Sequence, residues 1–187
     1  MLEPLNASAV HGFGQRGRKY VEAARAQIAA LVNAPPAQVI FNSSATEGNN
    51  TVLKYFARGD ARILVSAIEH PSILEAAPHA ERIPVTKDGV IDLDALEKII
   101  ATPPPVPAGL PPPTGGRVGV GGGRIAKEKT ERKDTLLSLM LVNNETGAIQ
   151  PVADAAALAK KHGALVHCDA VQAAGRIPLD IAALGVD

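Results

Sequence analysis

The chain has no tryptophan, one cysteine, two tyrosines and three phenylalanines in 187 residues. With so few aromatics, its core must be built from Ala, Val, Leu and Ile. A single cysteine excludes an internal disulfide and fits a reducing compartment. Neither sign of charge dominates: 19 basic and 19 acidic side chains leave a formal net charge of zero. No basic stripe is present, so nothing electrostatic points to nucleic acid. No apolar run approaches the ~20 residues that a membrane span needs. Met1-Leu2-Glu3-Pro4 lacks the basic and apolar regions of a secretion signal, so the expected location is cytoplasmic and no membrane partner is expected.

What is present is an alternation of short apolar runs and helical patterns. Val39–Phe41, Ile63–Val65, Ile83–Val85, Thr135–Val142 and Ala164–Asp169 read as strands. Residues 18–33, with Val21, Ala24, Ile28, Leu31 and Val32 at three- and four-residue steps, read as an amphipathic helix. Further helices are expected over Glu47–Phe56, Ser72–Ala77, from an Asp92 cap to Ile100, over Val152–His162, and in a last turn Ile181–Leu184. Strands alternating with helices predict an α/β fold, three layers with a mostly parallel sheet and flanking helices. Between Thr102 and Gly123 the composition changes to seven prolines followed by six glycines, and a charged stretch runs on to Asp134. Residues 101–134 are therefore expected to be a largely disordered Pro/Gly-rich and charged insertion, dividing the ordered parts 1–100 and 135–187.

Several short stretches carry polar groups where a ligand could meet them. In open α/β sheets, ligands sit in the crevice beyond the carboxyl ends of the strands. Asp169 ends such a strand and Gln172 follows three residues later; the Asp either caps the next turn or holds a positive charge on a ligand. Asn42-Ser43-Ser44-Ala45-Thr46 leads into a helix and is either an ordinary N-cap or an anion cradle of free N–H groups. His70, before Pro71 in a strand-exit loop, is either structural or a ring that stacks on a flat ligand. Asn143-Asn144-Glu145-Thr146-Gly147 is either a plain turn or a contact from the same sheet edge. Gly12-Phe13-Gly14-Gln15-Arg16-Gly17 spells a dinucleotide loop, yet no strand delivers it. It is expected to be a Gly-rich surface turn.

Taken in order, Ser44-Ala45-Thr46-Glu47-Gly48-Asn49-Asn50, Glu69-His70, Val142 to Gly147, and His167-Cys168-Asp169-Ala170-Val171-Gln172 resemble the cysteine desulfurases. These belong to the class V aminotransferase group of pyridoxal-phosphate enzymes. The resemblance covers nearly all of the chain outside about 101–134, and implies an incomplete large domain of a fold-type I pyridoxal-phosphate transferase. It implies that Ala45 and Thr46 lie at the cofactor phosphate, and that His70 stacks on the pyridine ring. Asn144 and Gln172 then lie near the phenolic oxygen, and Asp169 pairs with the pyridine nitrogen. It further implies pyridoxal 5'-phosphate as cofactor and L-cysteine as substrate. The products are alanine and a persulfide destined for iron–sulfur cluster assembly. A homodimer and a sulfur-acceptor protein are the implied partners.

The resemblance also sets out departures. The family's Schiff-base lysine matches a position beyond Asp187, and its nucleophilic cysteine lies farther on. An N-terminal family motif would precede Met1. Ala7 and Ser44 stand where the family usually carries Pro and Gly. No catalytic residue is therefore assigned within the chain, and it is expected to be inactive alone. Cys168 sits inside a strand next to Asp169 and is read as a buried, inert thiol. Another class V enzyme, such as a selenocysteine lyase or an aminotransferase, is an alternative. So is a non-catalytic binding module or a gene fragment.

Overall fold

The computed structural model describes residues 6–58, 61–102 and 135–187. Four segments form strands: β1 (Arg62–Ser66), β2 (Glu81–Ile83), β3 (Thr135–Met140) and β4 (Leu165–Asp169). They make one sheet in the order β2-β1-β3-β4 with every neighbouring pair parallel. Near-continuous apolar sequence is what a parallel strand covered on both faces requires. Ile63 lies opposite Leu136, Leu137 opposite Val166, and Met140 opposite Asp169.

The helices are α1 (Gly12–Leu31), α2 (Ala45–Arg58), α3 (Pro71–Leu74), α4 (Leu93–Ala101), α5 (Val152–Lys161) and α6 (Ile181–Leu184). Because strand side chains alternate between faces, the sheet has two cores. Leu64, Leu137, Leu139 and Val166 pack with Leu96 and Ile100 of α4 and with Val152, Ala155, Ala156 and Ala159 of α5. Ile63, Val65 and Leu136 pack with Leu53 of α2 and Ile73 of α3. Asp92 caps α4 through the Ala95 N–H at 3.0 Å. Gly163 ends α5 with a φ of +75°, in the left-handed region where glycine is favoured. The buried Arg62 pairs with Glu81 across β1 and β2 at 2.7 and 2.8 Å. It also donates to the carbonyls of Ile99 and Thr102 at the end of α4, at 2.8 and 2.6 Å.

Three local expectations fail. Gly12–Gly17 is the start of α1 rather than a surface turn, with Gly14 and Gly17 buried. His11 caps it by accepting the Gly14 N–H at 3.3 Å. A Cβ on Gly14 would lie 2.1 Å from the Ala9 carbonyl oxygen, so this glycine permits a close approach rather than a turn. Val39–Phe41 forms no strand. Its backbone is taken elsewhere: the Arg25 guanidinium bonds the Val39 carbonyl and lies 5.0 Å from the Phe41 ring. The apolar stripe of α1 is also not inward, since Val21, Ile28 and Leu31 are exposed and Ala29 is the apolar side chain it buries. Smaller shifts are a strand at Glu81–Ile83 instead of Ile83–Val85, and a helix at α3 shorter than Ser72–Ala77. Of the segment 101–134, Ala101 closes α4 and Thr102 follows it; the rest lies outside the described residues. Among the described residues no helix is long and apolar enough to cross a membrane.

Candidate functional site

From β1 the chain passes to β2 on one side, then crosses by way of α4 to β3 on the other. The carboxyl ends of β1 and β3 thus diverge, and such a switch point opens a crevice. A cavity of about 300 Å³ lies there, lined by Ser44, Ala45, Thr46, His70, Ser72, Met140, Val142, Asn144, Asp169, Val171 and Gln172. All six residues assigned to a cofactor by the resemblance meet in it, delivered from the start of α2, the exits of β1 and β3, and the end of β4.

Ser44 and Glu47 organise the α2 end. The Ser44 hydroxyl accepts the Glu47 N–H at 3.2 Å, and the Glu47 carboxylate accepts the Ser43 N–H at 2.7 Å and the Ser43 hydroxyl. These bonds from Ser43 hold the Glu47 carboxyl below its usual range. The N–H groups of Ala45 and Thr46 have no carbonyl one turn earlier in the helix to bond. They leave positive partial charge at the cavity rim.

Of the two readings of Asp169, the structure shows the cap, and its second oxygen is turned to a neighbouring side chain. Its Oδ1 accepts the Val171 N–H at 3.0 Å, capping the following turn. Its Oδ2 accepts the Asn49 side-chain amide at 2.7 Å. The same Asn49 nitrogen donates to Ser72 Oγ at 2.9 Å. His70 Nδ1 lies 2.9 Å from that hydroxyl and accepts the Ser72 N–H at 3.1 Å. Gln172 has its Oε1 tied to Arg176 at 3.0 Å, which leaves its NH₂ as the free end. The two asparagines of the β3 exit divide their roles. Asn143 is buried and binds the turn, its Oδ1 accepting from the N–H groups of Glu145 and Thr146 at 3.0 and 2.8 Å. Asn144 is left to line the cavity.

Asn49 and Ser72 are the contributors that sequence reasoning missed. Asn49 stands inside the Ser44–Asn50 motif, but helix periodicity gives no sign that an Asn in the second turn faces a carboxylate 120 residues away. Glu69 is a third. It is 4% exposed, its Oε1 accepts the Met140 N–H at 2.8 Å, and its Oε2 has no partner. Burial, with the nearby Asp169 charge adding to it, pushes Glu69 up to about 8 against the pull of the Met140 N–H and Arg82. Burial lowers His167, which meets Ser138 at 2.9 Å beneath the site. Cys168 packs on the opposite face of the sheet, among the α4 and α5 side chains. Burial, then the charges of Asp169 and Glu69, pushes its thiol up to about 12, so it stays a thiol at neutral pH.

A parallel sheet with helices on both faces and a polar cavity at its switch point is the architecture of α/β cofactor-binding enzymes. The family model described as aminotransferase class-V matches residues 3–106 and 123–187, and the chain belongs to that family. It is 36% identical over 188 residues to the cysteine desulfurase IscS of Pseudomonas entomophila, covering 97% of this chain and 40% of that protein. It is 32% identical over 192 residues to the mitochondrial cysteine desulfurase of Candida albicans, covering 96% of this chain and 33% of that one. The solved NifS-like protein from Rickettsia africae superposes with a TM-score of 0.77 at 33% identity, over 98% of this chain and 45% of its own. The chain thus spans less than half the length of each of these relatives, and over that span it has the fold of the NifS-like proteins.

Proposed function

We propose that these residues form the cofactor-binding part of a cysteine desulfurase-like enzyme that uses pyridoxal 5'-phosphate. The whole protein would take sulfur from L-cysteine, leaving alanine, and pass that sulfur to an acceptor for iron–sulfur cluster assembly. A homodimer and a sulfur-acceptor protein belong to the same reading. The observation that carries it is the polar lining of one cavity: open N–H groups at the start of α2 and a half-buried carboxylate at the end of β4. That set suits a molecule with an anionic group and a basic ring nitrogen. When bound, pyridoxal phosphate supplies an electron sink for charge developing beside an amino acid's α-carbon.

The chain's own residues divide the work of holding it. The N–H groups of Ala45 and Thr46, at the start of α2, take the phosphate. Asp169 keeps a proton at the ring nitrogen, because an adjacent carboxylate favours the cation. His70 covers a ring face, while the amides of Asn144 and Gln172 reach the phenolic oxygen. No lysine and no cysteine stands among the residues lining the cavity, and Cys168 lies on the other side of the sheet.

Equilibrium dialysis of the purified 187-residue chain against pyridoxal phosphate tests this. Reversible binding is expected, with no cofactor left on the protein after borohydride treatment. Asp169→Ala is expected to weaken binding by about tenfold or more, the effect of losing one charge-assisted bond. Absence of binding, or binding indifferent to Asp169→Ala, would overturn the assignment. With L-cysteine added, no sustained release of alanine and sulfide is expected from this chain alone.

A further inference from the structure

The hydrogen bonds below the cavity run in one direction. A carboxylate accepts only, so the Asn49 amide nitrogen must donate to Asp169 Oδ2, at 2.7 Å. This fixes the orientation of the amide, and its other N–H points to Ser72 Oγ at 2.9 Å. Because the serine oxygen is already accepting there, its own proton is free to turn to His70 Nδ1, 2.9 Å away. The Ser72 backbone N–H reaches the same ring nitrogen at 3.1 Å. Two donors converge on Nδ1, which leaves the ring proton on Nε2. Asn49 is 5% exposed and Ser72 7%, so water competes little for these bonds.

We infer that Asn49 is the positioning residue of this site, coupling Asp169 to His70 through Ser72 so that acid and imidazole are set by one amide. The acid edge and the ring that covers the ligand's face thereby move as a unit, and the imidazole presents Nε2–H rather than Nδ1–H. Bonds in such a buried network reinforce one another, so removing one member disturbs the others. What this means for pyridoxal phosphate rests on the function proposed above. The state of the imidazole does not, because it is a property of the chain without ligand.

The experiment therefore has two readouts. In the ¹⁵N-histidine-labelled 187-residue chain, the neutral form of His70, identified among the five histidines by His70→Gln, is expected to carry its proton on Nε2. Asn49→Asp keeps the side chain's shape, sets a second carboxyl group against Asp169 Oδ2 and gives Ser72 an acceptor in place of a donor. The hydroxyl then turns away and leaves the Ser72 backbone N–H as the one donor to Nδ1, so the preference for Nε2–H should weaken and the Nδ1–H population should rise measurably. Ser72→Ala, which leaves the Asn49–Asp169 bond intact, is the second variant should Asn49→Asp fail to fold; it too should raise the Nδ1–H population.

The second readout is pyridoxal phosphate affinity in a double-mutant cycle. Asn49→Ala and His70→Gln are each expected to weaken binding about tenfold, and the double variant clearly less than the product of the two, as coupled neighbours do. An unchanged His70 tautomer in a folded variant overturns the coupling, as does a fully multiplicative cycle. Failure of the wild-type chain to bind pyridoxal phosphate, with the tautomer shift still observed, overturns the proposed function and leaves the coupling standing.

Discussion

Two carboxyl groups, Asp169 and Glu69, lie at the sheet's C-terminal edge, and their surroundings push them to opposite uses. Asp169 accepts two N–H bonds and is half-buried. Glu69 is fully buried with one oxygen unpartnered, and the neighbouring anion adds to the cost of charging it. A neutral Glu69 leaves Asp169 as the anion of the cavity floor. In the unfolded chain Glu69 ionises near 4.5, and in the folded chain only near 8. Its stabilising contribution is thus complete below 4.5 and is lost as pH rises through about 8. His167 works in the other sense. Lowered from 6.5 by burial, it favours the folded state above 6.5 and withdraws that support as pH falls through its folded value. Glu69→Gln keeps an acceptor for the Met140 N–H and removes the titration. Urea denaturation should find the variant more stable than wild type at pH 9 by on the order of 2 kcal/mol, and should find the difference gone near pH 4. The loss of stability on the acid side, set in part by His167, should remain. An unchanged alkaline slope in Glu69→Gln would show that another group carries it.

At the scale of elements, the chain's stops and starts were readable where one side chain decides them. Asp92 before Leu93 and Gly163 after Lys161 bound α4 and α5 as written, because a cap and a left-handed residue act locally. Val39–Phe41 misled because β-propensity describes residues that suit a sheet and says nothing of whether a partner strand arrives. Gly12–Gly17 misled for the opposite reason: glycines usually mark turns, and here Gly14 lets α1 start against the Ala9 backbone. Of the six cavity residues, His70, Asn144, Asp169 and Gln172 were legible as polar groups at strand exits, and Ala45 and Thr46 as a helix start. The Asn49–Ser72 link was not, since nothing local records a hydrogen bond between residues 23 positions apart. The start of α2 offers the sharpest elemental test. Ser44→Ala removes the hydroxyl that accepts the Glu47 N–H and should cost about 1 kcal/mol in urea denaturation, as lost N-caps do. Ser44→Gly should cost only a few tenths. If Ser44→Ala unfolds as wild type does, the hydroxyl is not acting as a cap.

For the molecule as a whole, the two cores have different consequences for the site although both hold the same sheet. The α4 and α5 side is the larger; none of its fully buried side chains lines the cavity, and Val142, partly buried at its edge, does. The α2 and α3 side is smaller, and on it stand the N–H groups of Ala45 and Thr46, the Asn49 amide and Ser72. Leu53 of α2 and Leu96 of α4 are both 0% exposed, which permits a paired comparison. Each Leu→Ala change removes a fully buried side chain and should cost about 2–5 kcal/mol, with the cavity left behind adding to the lost transfer energy. Their effects on binding should differ. Leu53→Ala loosens the helix that presents both the rim N–H groups and Asn49, so pyridoxal phosphate affinity should fall several-fold in the molecules that remain folded. Leu96→Ala loosens a helix on the far face, and the folded fraction should bind as wild type does. Titrating each variant well below its unfolding midpoint, with the folded fraction fixed by circular dichroism, separates affinity from stability. Equal losses of affinity would mean that the sheet passes strain between its faces. Loss confined to Leu53→Ala would mean that the binding edge takes its rigidity from the smaller core, whose helices hold the groups that meet the ligand.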